Sequence, residues 1–172
     1  MEAVRVGRAA LECAGSRGDR PVALTVRPAE AGDAVPLGFF VDTALRRDYF
    51  LRRGQLDEML RGTRHRVWEA EIDGVLVGLA ITTRGTRLVN ALVHPAYRGL
   101  GIGRALVEHS GAVEARVKCD MHTGDPRGFY RRLGFEPGPR TGRRGQIELM
   151  RRGRPCAAAA GVAAPRGGRP PG

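Results

Sequence analysis

The stretch VNALVHPAYRGLGIG, residues 89–103, decides how the rest of the chain is read. Its first residues are an apolar run bounded by breakers, the pattern of a buried strand. Pro95 has no amide for a sheet ladder, so the strand ends at His94-Pro95. Beyond the turn at Tyr97-Arg98-Gly99, Leu100, Ile102, Leu106 and Val107 supply the apolar face of a helix that runs to about Gly111.

Between strand and helix, Gly99, Gly101 and Gly103 remove side chains and let a ligand approach the backbone. The first amides of a helix have no intrahelical partner and lie at the positive end of its dipole. Together they form an anion cradle suited to phosphate, flanked by Arg98 and Arg104. A dinucleotide fingerprint starting at Gly99 would need glycine where Arg104 stands, and the Gly-Lys-Ser/Thr triplet of a P-loop is absent.

Outward from this stretch, the 172 residues suffice for one domain with a real core. The net charge of +11 favours polyanions, but its source is arginine scattered along the whole chain, as a compositional bias would also give. Three distant cysteines, Cys13, Cys119 and Cys156, imply no disulfide framework and fit a reducing cytoplasm. The pair Cys119/His122 has no second pair beside it, so no metal site is expected. No apolar run reaches membrane-spanning length, and the first residues lack a signal-peptide core, so a soluble protein is expected.

Residues 1–20 read as a poorly ordered leader closed by a breaker cluster. A strand follows over 22–27. A helix capped by Asp33 then carries a stripe of Val35, Phe39, Phe40, Ala44 and Leu45, and a second covers 55–60 with Leu56, Met59 and Leu60 inward. Strands are expected at 65–71 and 75–83 around an Asp73-Gly74 hairpin turn, and then at 87–93. After the central helix come a strand at 115–121, a short helix at 127–133 ended by Gly134, and a last hairpin closing over 146–150. Residues 152–172, rich in Gly, Pro, Ala and Arg, read as a disordered basic tail: a solvated end, or a charge-based contact with nucleic acid. The folded domain is expected over 21–151.

Taken whole, LVHPAYRGLGIGRAL (residues 92–106) resembles the coenzyme A pyrophosphate loop of the GNAT superfamily of acyl-CoA N-acyltransferases. GFYRRLGF (residues 128–135) resembles that family's second signature, one strand further along. The resemblance covers roughly residues 22–150. It implies an α/β (α+β) fold with a mixed, mostly antiparallel central sheet, a splayed parallel strand pair and helices on both faces.

The function implied is transfer of acetyl from acetyl-CoA, with no metal, to a primary amine of a small molecule or protein, in a monomer or homodimer. Carried over by residue, the Val93 backbone amide would polarise the thioester carbonyl and Tyr130 would protonate the leaving thiolate. Leu92, Val93, the run Arg98, Gly99, Leu100, Gly101, Ile102, Gly103 and Arg104, and Thr123, Phe129 and Tyr130 would bind the coenzyme. Thr123 stands where many members have asparagine. Asn90 lies near a position where many have a glutamate acting on the substrate ammonium, and it cannot act as a base. Glu69, Glu71, Asp120 and His122 are the other candidates. Each acidic one also reads as a solvated surface charge, so the base stays unassigned. A second reading is a module that binds acyl-CoA, or docks on nucleic acid or the ribosome, without turnover.

Overall fold

The computed structural model describes residues 8–11, 22–44, 53–83, 86–118, 124–141 and 147–153. In chain order these form strands β1 (Arg8–Leu11) and β2 (Val22–Pro28), helices α1 (Ala34–Ala44) and α2 (Arg53–Arg61), and strands β3 (His65–Ile72), β4 (Val75–Thr83) and β5 (Arg87–Val93). They continue with α3 (Ile102–His109), β6 (Glu114–Lys118), α4 (Arg127–Arg132), β7 (Phe135–Glu136), β8 (Arg140–Thr141) and β9 (Ile147–Arg152). The strands make one sheet ordered β1-β2-β3-β4-β5-β6-β9-β7, with β8 also on β9. Among the described residues every pairing is antiparallel except β5 with β6.

The mixed, mostly antiparallel sheet and the expected order of elements are therefore observed. Within the stretch expected to be a leader, Arg8–Leu11 lies as an edge strand on β2. The rest of that leader and residues 154–172 of the expected tail lie outside the described residues. Asp73 and Gly74 turn the β3–β4 hairpin with φ of 49° and 79°, the positive values that a two-residue turn of this hand requires.

Two apolar clusters cover the two faces of the sheet. On one, Ile102, Leu106 and Val107 of α3 pack with Tyr130, Phe135, Leu88, Ala115 and Met150. On the other, Leu37, Phe40 and Val41 of α1 and Leu56 of α2 pack with Val67, Leu79, Ile81 and Leu92. Gly78 lets α3 come close: a Cβ there would stand 3.0 Å from Leu106 Cδ1 and 3.1 Å from the Leu92 carbonyl oxygen. For α1 the expected stripe is wrong in part. Phe40 is buried as expected, but Val35 and Phe39 are 70% and 63% exposed, and Leu37 and Val41 face inward instead. Leu37, Phe40 and Val41 share one face at spacings of three and four residues, while Val35 and Phe39 share the other.

Candidate active site

The parallel pair that the resemblance requires to part does so early. β5 and β6 are paired only at Arg87/Glu114 and Leu88/Ala115, although β5 continues to Val93 and β6 to Lys118. A bulge sharpens the divergence. Between Ile81/Asn90 and Thr82/Leu88 the β4–β5 register shifts, which leaves Val89 as the extra residue. Beyond the first two rows the β6-facing edge of β5 lines a gap.

At the open end several backbone amides are left without a partner strand among the described residues. The His94 amide donates to the Val77 carbonyl, 2.9 Å, across β4. Successive amides of a strand point to opposite edges, so the Val93 amide faces the gap. A short 3-10 turn, Pro95–Tyr97, follows, its first amides capped by His94 Nδ1, which accepts from the Ala96 amide at 3.3 Å. The His94 ring lies 5.7 Å from Tyr97 and 6.5 Å from Phe40, which ties this lip of the gap to α1.

Gly99 and Gly101 hold φ of 85° and 78°, a left-handed backbone that favours glycine. Gly101 is the N-cap of α3 and brings no capping side chain, so the helix's leading amides remain open to an outside acceptor. Gly103 has another purpose. A Cβ there would meet Phe129 Cζ at 3.3 Å and Val93 Cγ2 at 3.7 Å, so its bareness lets the end of β5, the start of α3 and the aromatic pair of α4 converge. The two arginines differ as well. Arg98 Nε donates to the Val93 carbonyl, 3.4 Å, at the lip, whereas Arg104 turns along the helix to Glu108, 2.8 Å.

Tyr130 is 8% exposed and stacks edge-on between Phe129 and Phe135 at centroid distances of 5.1 and 5.7 Å. The structure thus brings together Leu92, Val93, the run from Arg98 to Arg104, Phe129 and Tyr130. Thr123, Asp120 and His122 lie outside the described residues.

Among the acidic candidates one stands apart. Glu69 is 2% exposed, beneath the helices of the α1/α2 face, where nothing in its charged surroundings along the chain foretells burial. The signal was alternation alone: Glu69 stands two residues after Val67 and so shares its inward face. It lies in one cross-strand row, Arg27–Glu69–Leu79–Leu92. At ordinary strand spacing that puts its Cα about 10 Å from that of Leu92.

Arg27 forms an ion pair with Glu69 and a two-pronged one with Asp33, at 2.9 and 3.1 Å. Asp33 also accepts from the Glu30 amide, 2.8 Å, and so fixes the entry to α1. Oε1 of Glu69 has no aligned hydrogen-bond donor among the described residues. Burial pushes the Glu69 carboxyl up from 4.5 to about 7, against the pull of Arg27. Below α2, a cavity of about 470 Å³ opens between Met59, Leu60 and the ends of β2 and β3. Among the described residues no cluster of His, Cys, Asp and Glu has the grouping of a metal site, and no helix is long and apolar enough to cross a membrane.

Residues 63–137 match the model of the acetyltransferase (GNAT) domain, a span that holds β3 through α4 and therefore the whole gap. No curated protein sequence matches the chain. Solved structures do. An acetyltransferase from Thermus thermophilus is 18% identical over 74% of this chain and 94% of its own, with a TM-score of 0.58. The ribosomal-protein-S18-alanine N-acetyltransferase of Escherichia coli is 20% identical over 74% and 90%, with a TM-score of 0.56. The PaiA N-acetyltransferase of Thermoplasma acidophilum, solved in complex with coenzyme A, is 15% identical over 74% and 96%, with a TM-score of 0.52. At these identities the likeness is one of fold. The domain match adds that residues 63–137 carry the sequence pattern of a GNAT acetyltransferase domain.

Proposed function

We propose that the protein is an acetyl-CoA-dependent N-acetyltransferase that acetylates a primary amine by direct attack. The observation that carries this reading is the parting of β5 and β6 after two paired rows, with the Val93 amide and the start of α3 at its open end. The cradle suits a pyrophosphate, since the leading amides of α3, left-handed glycines and Arg98 converge there without a capping side chain. The bared edge of β5 suits an amide-bearing arm, which can pair with it as an added strand would.

In this mechanism a neutral amine attacks the thioester carbonyl carbon. The Val93 amide donates to the oxygen as negative charge gathers there, a contribution on the order of 3 kcal/mol for a well-aimed donor. As the carbon–sulfur bond breaks, the Tyr130 hydroxyl protonates the departing thiolate. Glu69 accepts the proton shed by the amine. At about 10 Å from the strand that carries the site it acts through water. Its carboxyl, pushed up to about 7, is poised to take and release a proton near neutrality.

The first test is calorimetric titration with acetyl-CoA and with CoA, followed by mass spectrometry of an amine library incubated with enzyme and acetyl-CoA. Binding with an acetylated product supports the reading. Binding without product leaves a coenzyme-binding module. Absence of binding removes the gap assignment altogether. Gly101→Glu puts a carboxylate in the anion cradle and a side chain on a left-handed backbone, and is expected to abolish binding. Tyr130→Phe is expected to lower turnover about 100-fold with coenzyme affinity kept. Unaltered turnover would exclude Tyr130 as the acid.

A further inference from the structure

The gap has an apex as well as a mouth, and the apex is built from charge. Arg87, Glu114 and Arg151 stand side by side in one row across β5, β6 and β9, on the face opposite Leu88, Ala115 and Met150. Arg87 Nε donates to Glu114 Oε2 at 2.8 Å and its Nη2 lies 2.7 Å from the same oxygen, while Arg151 Nε donates to Oε1 at 3.1 Å. One carboxylate thus holds two guanidinium groups on two other strands. Its carboxyl is held below the ordinary value, first by the Arg87 hydrogen bond. The backbone closes the same point. The Thr86 carbonyl accepts from the amides of Val113 and Glu114, at 2.9 and 3.1 Å, and the Val113 carbonyl accepts from the Arg152 amide at 2.8 Å.

We infer that Glu114 is a positioning residue, the pin of an Arg87–Glu114–Arg151 clasp that sets the angle between β5 and β6 and so the width of the coenzyme gap. The inference rests on the proposed use of that gap. Val93 stands five residues beyond the last paired residue, Leu88, about 17 Å along the strand. A rotation of about 5° at the apex therefore moves the Val93 amide by about 1.5 Å. A displacement near 1 Å at reacting groups lowers rates by on the order of 100-fold. Without the Glu114 charge, Arg87 and Arg151 flank β6 with unbalanced like charges, and the backbone bonds of the paired rows and of Thr86, with the packing of Leu88 on Ala115, hold the apex without a side-chain brace on its other face.

The test compares wild type, Glu114→Gln, and a full reversal, Arg87→Glu/Glu114→Arg/Arg151→Glu, by acetyl-CoA titration, steady-state kinetics and thermal melting. Glu114→Gln is expected to lower kcat by on the order of 100-fold and to raise the Kd and KM for acetyl-CoA about tenfold, with the acceptor KM unchanged. The reversal, which rebuilds the clasp with opposite signs, is expected to recover most of the affinity. Arg151→Gln keeps the Arg87 pair; it is expected to shift Kd in the same direction by less, and it serves if Glu114→Gln fails to fold.

Unchanged Kd in a folded Glu114→Gln or Arg151→Gln, or no recovery in the reversal, overturns the clasp while leaving the enzyme reading intact. A lowered melting temperature with wild-type coenzyme affinity means that Glu114 only stabilises the fold. If wild type itself binds no acetyl-CoA, the clasp and the gap reading fall together.

Discussion

Glu69 and Glu114 lie on the same face of one sheet, and each pairs with an arginine on a neighbouring strand. Their carboxyls are nevertheless shifted in opposite directions. At Glu114 two guanidinium groups meet a carboxylate that keeps 20% of its surface in water, so hydrogen bonding outweighs burial. At Glu69 a single guanidinium, divided with Asp33, meets a carboxylate that keeps 2%, and loss of hydration outweighs the pairing. The cation count and the water left to each decide which carboxylate stays charged and serves as a pin, and which can exchange a proton.

The two carboxylates differ most in how their loss affects turnover relative to coenzyme binding. Glu69→Gln is expected to lower kcat by about 100-fold or more at pH 8 while acetyl-CoA still binds. A kcat near wild type would reduce Glu69 to a buried structural charge. A pH profile gives the next largest effect. Because Glu69 acts deprotonated, kcat should climb about tenfold per unit as pH rises toward 7 and level off above it, and the Glu69→Gln variant should lack this inflection.

Stability sharpens the same contrast. The folded state raises the Glu69 pKa, so between pH 4.5 and about 7 it binds a proton that the unfolded chain has released, and stability falls as pH rises through that window. The full effect is about 3 kcal/mol. Glu69→Gln removes it, so the variant should melt roughly 6–12 °C higher than wild type at pH 8 and no higher at pH 4. Equal melting at pH 8 would mean that Arg27 fully offsets the burial. The smallest effect belongs to Glu114. Its pKa is lowered in the fold, so its contribution is present above pH 4.5 and is lost as pH falls below it. Glu114→Gln should therefore narrow its melting-temperature gap from wild type on acidification, by a few degrees at most. A gap that widens in acid would contradict the assigned sign.

Much of the site was legible because it is local. A strand ended by Pro95, two glycines in a left-handed turn and a helix start are contiguous in the chain, and their amides point where backbone geometry sends them. α1 was less legible, because Val35, Phe39 and Phe40 are all apolar and the pattern alone does not say which face meets the sheet. The short hairpin strands Phe135–Glu136 and Arg140–Thr141 offer too few residues for alternation to speak.

By itself, then, the sequence determined the β5-turn-α3 unit, the left-handed glycines at its uncapped helix start and the aromatic pair at 129 and 130, since each depends on residues within a few positions of one another. Only the tertiary structure decided that Gly103 is bare for the sake of Phe129 and Val93, that Glu69 is buried on the sheet face that α1 and α2 cover, and that Glu114 joins partners 27 and 37 residues away. Burial and cross-strand charge pairing are properties of surfaces that meet in space, and a periodicity read along the chain carries no record of which surfaces those are.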